Sequence, residues 1–138
     1  MSGMGTQIGY TFEQLKYILD NSEYSANIGV CFDMCHVHGA GYDIVSCSSF
    51  NRTLEIFDHI IGVEKIKAFH LNNSKDAAGS KKDRHTLLDD GLIDLSVFAQ
   101  LVNDKTFKDI PKVIEPCNCE LSGKNQMDLL YELMQFSK

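Results

Sequence analysis

The sequence predicts an α/β protein built around a short parallel sheet, and three observations support this fold class. Segments with strand and helix patterns alternate along the 138 residues. The strand segments are short apolar runs, as in strands covered on both faces of a parallel sheet. Each of these runs ends abruptly in a potential metal ligand. Because the carboxyl ends of parallel strands meet at one edge of the sheet, the sequence predicts a functional site at that edge.

The first predicted elements are a helix and a strand. Thr11, followed three residues later by Gln14, is typical of a capped helix start, and we expect this helix to reach about Asp20. The β-branched apolar run over residues 27–33 is typical of a buried strand. Loops are expected on both sides of it, with a glycine-containing turn at residues 39–42.

The rest of the chain continues the alternation of helices and strands. Ser48 or Ser49 is expected to cap a helix that Gly62 ends. A second strand is predicted over residues 65–71, followed by a long polar loop over residues 72–90 of a kind that often carries function. The remaining predicted elements are a helix starting at Asp94 or Leu95, a strand over 112–115 between Pro111 and Pro116, and a closing helix over about 124–136.

Composition restricts the class of protein. No apolar run approaches the roughly 20 residues that span a bilayer, and the N-terminus lacks the features of a secretion signal. We therefore expect an intracellular protein, cytoplasmic or nuclear and not secreted, with five reduced cysteines. The net charge of -6 argues only mildly against a nucleic-acid partner, since two divalent metal ions bound at the strand ends would reduce it to about -2.

Two sets of potential ligands can be assigned from their positions. Alternate side chains of an extended segment point the same way, so Asp83 and His85 can bind one ion, with His36 as a third ligand. The second set lies at the ends of the three predicted strands and comprises Asp33, His70 and Glu115. Taken singly, each residue has a simpler explanation as a turn, a cap or a surface side chain. Their joint placement favours zinc, with manganese as an alternative.

Two gapped motifs contain most of these ligands. The first is Gly29-Val30-Cys31-Phe32-Asp33-Met34-Cys35-His36, and the second runs from His70-Leu71-Asn72-Asn73-Ser74-Lys75 through Gly79-Ser80 to Asp83-Arg84-His85. Both resemble signatures of endonuclease IV, the zinc-dependent class II apurinic/apyrimidinic endonuclease family. Met34 stands where a threonine is frequent, and Asn73 stands where an acid is usual. The turn that resembles the family's own is Ala40-Gly41-Tyr42-Asp43.

The resemblance implies a TIM (β/α)8 barrel, of which this chain is the C-terminal portion: about three βα units and a preceding helix. Residues 1–138 would then form a partial domain whose N-terminal strands are missing, and we expect these strands on the same or another chain. The family uses three zinc ions. One complete site, formed by His36, Asp83 and His85, and one partial site are expected here.

The resemblance also implies a function in base-excision DNA repair. The family hydrolyses the phosphodiester 5′ to an abasic site in double-stranded DNA, and Glu115 is implied as the catalytic residue that orients or deprotonates water. We expect the isolated chain to be incomplete and weak or inactive. The implied DNA contacts are Tyr42, Lys75, Lys81, Lys82 and Arg84.

Two alternatives remain open. A metal-dependent sugar isomerase or epimerase on a similar barrel also places His, Asp and Glu at strand ends, although the segment from Asp83 to His85 favours the nuclease. The other alternative is a non-catalytic zinc-binding or DNA-binding remnant, which would bind abasic DNA without cleaving it.

Overall fold

A computed structural model describes residues 1–115 and 120–135, without the side chains of residues 120–123 and 135. Its helices are α1 (Phe12–Asp20), α2 (Met34–Ala40), α3 (Cys47–Ile60), α4 (Leu95–Asn103) and α5 (Glu120–Gln135). Its strands are β1 (Val30–Asp33), β2 (Ile66–His70), β3 (Asn73–Ser74), β4 (His85–Thr86) and β5 (Lys112–Val113). Short 3-10 helices lie at Ser25–Asn27, Val63–Lys65 and Lys105–Phe107.

The predicted α/β class with a parallel sheet is confirmed. The strand order is β1-β2-β5, and both pairs of neighbours are parallel. Asp33 pairs with His70, and His70 pairs with Val113, so the strands end level with one another. This register brings residues from all three strand ends to one edge of the sheet.

Helices cover one face of the sheet through aromatic side chains. The ring of Phe32 lies 5.7 Å from that of Phe57, and the ring of Phe69 lies 5.1 Å from that of Phe107. Because alternate strand residues point to opposite faces, Cys31 and Val113 lie on the other face, where both are exposed. The predicted ligands Asp33 and His70 share this second face.

The prediction of a loop after β1 is wrong, because α2 begins there. The Oδ1 atom of Asp33 accepts a hydrogen bond from the backbone N–H of His36 and so caps the helix. At the other end, Gly41 adopts a left-handed conformation with φ 112° and closes the last turn. The interior of α2 contains few strong helix formers, so its two ends provide the local signals.

Several predicted boundaries also change. Ser46, rather than Ser48 or Ser49, caps α3, because it exchanges capping hydrogen bonds with Ser49. The long polar loop contains the antiparallel pair β3 and β4. Strand β1 begins at Val30, β5 ends at Val113, and α5 starts at Glu120. The positions of Pro116, Cys117, Cys119 and Phe136 lie outside the described residues.

A helix that crosses a bilayer must be both long and apolar. In the described part of the chain, no helix meets both requirements.

Candidate metal centre

Asp33 connects the sheet to the candidate site. Its side chain is only 5% exposed, and one of its oxygens caps α2. The other oxygen, Oδ2, lies 3.1 Å from Nδ1 of His70 on the neighbouring strand. The level ends of β1 and β2 therefore bring a buried carboxylate against an imidazole.

Glu115 completes the group that the sequence predicted from the three strand ends. Glu115 lies two residues beyond β5, and its Oε2 atom is 3.4 Å from Nδ1 of His70. The potential ligand atoms of Asp33, His70 and Glu115 all lie within 4.8 Å of one another. The structure thus brings this predicted set together, with Glu115 as its most accessible member at 47% side-chain exposure.

A second group forms around Asp83. Nε2 of His36 lies 2.9 Å from one oxygen of Asp83, and Nε2 of His85 lies 3.0 Å from the other. Asp83 and His85 occupy alternate positions of the extended segment that enters β4. Arg84, between them, donates a hydrogen bond to Asp76 and not to this group. The alternation expected from the sequence accounts for this arrangement.

The donor set around Asp83 fits a cation. Both Nε2 atoms, of His36 and His85, are buried, and neither has a hydrogen-bond partner among the described residues. Their short distances to Asp83 therefore do not correspond to aligned hydrogen bonds. A buried polar atom without a partner costs about 1–3 kcal/mol. Nitrogen and oxygen ligands bind zinc at about 2.0–2.2 Å, which spaces them roughly 3–3.5 Å apart, so an ion would satisfy both nitrogens.

The two groups form one continuous site. Nδ1 of His85 lies 3.5 Å from Oε2 of Glu115, and Nδ1 of His36 lies 3.8 Å from Oδ2 of Asp33. Asp33, His36 and His85 also form a compact group of potential ligands. The arrangement is thus less sharply divided into two sets than the sequence suggested.

Two further residues belong to the site, and neither is predicted from the sequence as a site residue. Asn72 donates hydrogen bonds from Nδ2 to Asp33 at 3.1 Å and to Glu115 at 2.9 Å. The signal in the sequence was its position two residues after His70, on the same side of an extended segment. Cys35 forms a compact group with Asp83 and His85. Burial raises the pKa of the Cys35 thiol to about 11, which favours the neutral form.

The basic side chains expected to contact DNA lie in the segment between β3 and β4. Lys82 contacts Asp76 at 3.0 Å and Arg84 contacts it at 2.8 Å, and the hydrogen bond from Lys82 is the main reason that the pKa of Asp76 is lowered. Lys75 is exposed, and Nζ of Lys81 lies 5.5 Å from the centre of the Tyr10 ring. Two of the four cations are therefore paired with a carboxylate.

Tyr42 lies next to α1. Its ring stacks on Phe12 at 3.8 Å, and its hydroxyl accepts a hydrogen bond from the Phe12 N–H. Burial raises the pKa of this hydroxyl. These contacts give Tyr42 a role in holding α1 in place, and its contact with DNA stays a prediction.

Comparisons with known proteins agree with the fold and with the motifs. Residues 1–138 match the family model described as "Xylose isomerase-like TIM barrel". A "Probable endonuclease 4" from Clostridium beijerinckii is 44% identical over 136 residues, which cover 98% of this chain and 48% of that protein. The crystal structure of endonuclease IV from Thermus thermophilus matches with a TM-score of 0.85 and 25% identity, covering 99% of this chain and 48% of that chain.

A second relative gives the same result over a shorter stretch. A "Probable endonuclease 4" from Geobacter sp. (strain M21) is 44% identical over 114 residues, covering 83% of this chain and 40% of that protein. The chain thus spans about half the length of the curated relatives it matches. The chain belongs to the family of xylose isomerase-like TIM barrels, and within that family it is similar to endonuclease IV proteins.

Proposed function

We propose that this chain carries the metal-binding part of a zinc-dependent endonuclease that hydrolyses DNA on the 5′ side of an abasic site. The observation that carries the proposal is the convergence of six potential ligands at one edge of the parallel sheet. They come from four separate segments of the chain, and the relatives named endonuclease 4 support a nuclease over other metal enzymes.

The six potential ligands form two groups, each of which would bind a different metal ion. His36, Asp83 and His85 would hold one ion, while Asp33, His70 and Glu115 would contribute to a second. When bound, such ions supply a water of lowered pKa and neutralise the attacked phosphate.

Glu115 is the best placed carboxylate for contact with water. Its side chain is 47% exposed, whereas that of Asp33 is 5% exposed. We therefore assign to Glu115 the orientation or deprotonation of the attacking water. Asp33 is buried and accepts a hydrogen bond from the N-terminus of α2, so we assign to it the holding and positioning of the second ion.

DNA would approach along the segment between β3 and β4. Lys75 and Lys81 present exposed cations there, and Asp76 holds Lys82 and Arg84 in defined positions. Such contacts to phosphates position the duplex without reading its sequence. Double-stranded DNA with an abasic site is thus the proposed substrate.

A complementation experiment tests the function. The chain would be combined with the portion of the Clostridium beijerinckii relative that it does not match, and nicking of an abasic duplex would be measured with and without a chelator. We expect chelator-sensitive nicking from the mixture and little or none from the chain alone. His85→Ala should abolish the nicking, while His59→Ala, at an exposed position on α3, should not.

Other outcomes would assign other functions. Salt-dependent binding of abasic duplex that never leads to nicking would identify a non-catalytic DNA-binding protein. The family description supports a sugar isomerase as a second candidate function, and metal-dependent isomerisation of xylose by the protein would identify it.

A further inference from the structure

Asn72 lies between the two carboxylates of the strand-end group, which consists of Asp33, His70 and Glu115. Its Nδ2 donates to Oδ2 of Asp33 at 3.1 Å and to Oε2 of Glu115 at 2.9 Å. Its Oδ1 accepts a hydrogen bond from the backbone N–H of Glu115 at 3.1 Å. One carboxamide thus uses both of its N–H groups and its oxygen on the residues that flank it.

The position of Asn72 in the sheet explains how it reaches both partners. It follows β2, the central strand, while Asp33 is the last residue of β1 on one side and Glu115 lies two residues after β5 on the other. The N–H of Leu71 donates to the carbonyl of Val113 at 2.8 Å, so the parallel pairing continues up to Asn72. The residue is only 2% exposed, which restricts its side chain to this arrangement.

The chemistry of an amide suits this position. Two carboxylates beside one histidine repel each other, and both must present oxygen atoms to the same cation. A neutral donor that bonds to both removes part of this repulsion without competing for the cation. Partners behind the ligands of a metal site commonly fix ligand orientation, and their removal weakens metal binding.

We propose that Asn72 is a positioning residue that holds Asp33 and Glu115 together as a preformed pair of ligands for the strand-end ion. The inference rests on the proposed function, because it concerns the same cation site. It goes further by assigning that site's geometry to a residue that is not itself one of the predicted ligands.

Zinc affinity measured by competition with a chelator tests the inference. In Asn72→Ala, we expect the weaker of two zinc affinities to fall by about 10- to 100-fold, while the site at His36, Asp83 and His85 keeps its affinity. The matched control is Asn73→Ala, which removes an adjacent and equally buried amide whose hydrogen bonds go to backbone atoms only.

The control separates positioning from general structural support. Asn73→Ala should lower the thermal stability of the metal-free protein while leaving the ratio of the two zinc affinities unchanged. If both variants weaken the strand-end site to the same extent, Asn72 is merely structural and the inference is overturned.

A second measurement applies even if the Asn72 variant does not fold. In the NMR spectrum of the unmodified chain, the side-chain amide protons of Asn72 should exchange more slowly than those of the exposed Asn51. Glu115→Ala should shift the Asn72 amide signals. Fast exchange and unchanged signals would overturn the inference.

These measurements use no DNA, so the two proposals fail separately. Asn72→Ala could lose zinc affinity at the strand-end site while the complemented protein shows no nicking. That result would reject the proposed nuclease function and support the positioning role of Asn72.

Discussion

At the scale of single residues, Asn73 makes four hydrogen bonds in a fully buried position. Its Nδ2 donates to the carbonyls of Leu88 and Ile93, both at 2.8 Å. Its Oδ1 accepts from the backbone N–H groups of Ser74 and Ile93. A carboxylate at this position would reproduce the two acceptor bonds and would place a negative charge against two carbonyl oxygens.

We therefore predict that Asn73→Asp destabilises the protein, by about 3 kcal/mol, since a buried charge loses its solvation and gains no donor. The measurement is the free energy of unfolding in denaturant at neutral pH. The control is Asn51→Asp, because exposed Asn51 uses its side chain as an acceptor from Gln100 and a carboxylate can do the same. Equal stability of the Asn73→Asp variant and the parent would contradict this account.

Asp76 provides a prediction about pH. The hydrogen bond from Lys82, followed by the charge of Arg84, lowers the pKa of Asp76 below its ordinary 3.8. The unfolded chain therefore binds this proton at a higher pH than the folded chain does. The stabilisation is present above about pH 4 and is lost as the pH falls through the lowered value.

Asp76→Asn should consequently flatten the dependence of unfolding free energy on pH in the acid range. The measurement is a series of denaturant titrations from neutral pH downward. Asp109→Asn serves as the control, since the Asp109 carboxylate is 88% exposed and lies 3.8 Å from Lys108. An unchanged slope in the Asp76 variant would show that the cluster contributes nothing to acid stability.

How far the sequence predicts the site depends on the kind of residue. Asp83 and His85 could be paired from their alternation, and Asp33 and His70 from the ends of their strands. The amides could not be assigned, because their roles depend on backbone and carboxylate groups far away in the chain. Asn73, for example, bonds to residues 15 and 20 positions later.

At the scale of elements, α2 shows why a strand and a ligand can be predicted while the following helix is missed. Its residues include two histidines, a valine and a glycine, none of which favours a helix strongly. The helix forms because Asp33 caps its start and Gly41 ends it. Asp33 therefore serves α2 and the candidate metal site at once.

These two roles of Asp33 can be separated by substitution. Asp33→Asn keeps a side-chain oxygen for the cap and removes the charge, so we predict weaker zinc binding with α2 retained. Asp33→Ala removes both the capping oxygen and the charge, so its free energy of unfolding should be about 1 kcal/mol lower than that of the Asn variant. Zinc titration and denaturation of both variants provide the measurements. Equal stability of the two would show that the cap contributes little.

At the scale of the whole molecule, helices cover one face of the sheet within the described residues, and part of the other face is exposed. Phe32 and Phe69 are buried beneath helices, whereas Cys31 and Val113 are exposed on the opposite face beside the candidate site. The outer edges of β1 and β5 carry backbone groups suited to further strand pairing. In the family's barrel this face is the interior, and that agrees with a chain that spans about half the length of its relatives.

The ligands come from distant parts of the chain, so a bound ion should stabilise the folded molecule as a whole. An ion that binds only the folded state at 100 times its dissociation constant adds about 2.7 kcal/mol. We predict that zinc raises the denaturation midpoint of the chain and that His85→Ala removes most of the increase. His59→Ala, on the exposed side of α3, should retain it. A zinc-induced increase that persists in full in the His85 variant would show that the ion binds elsewhere.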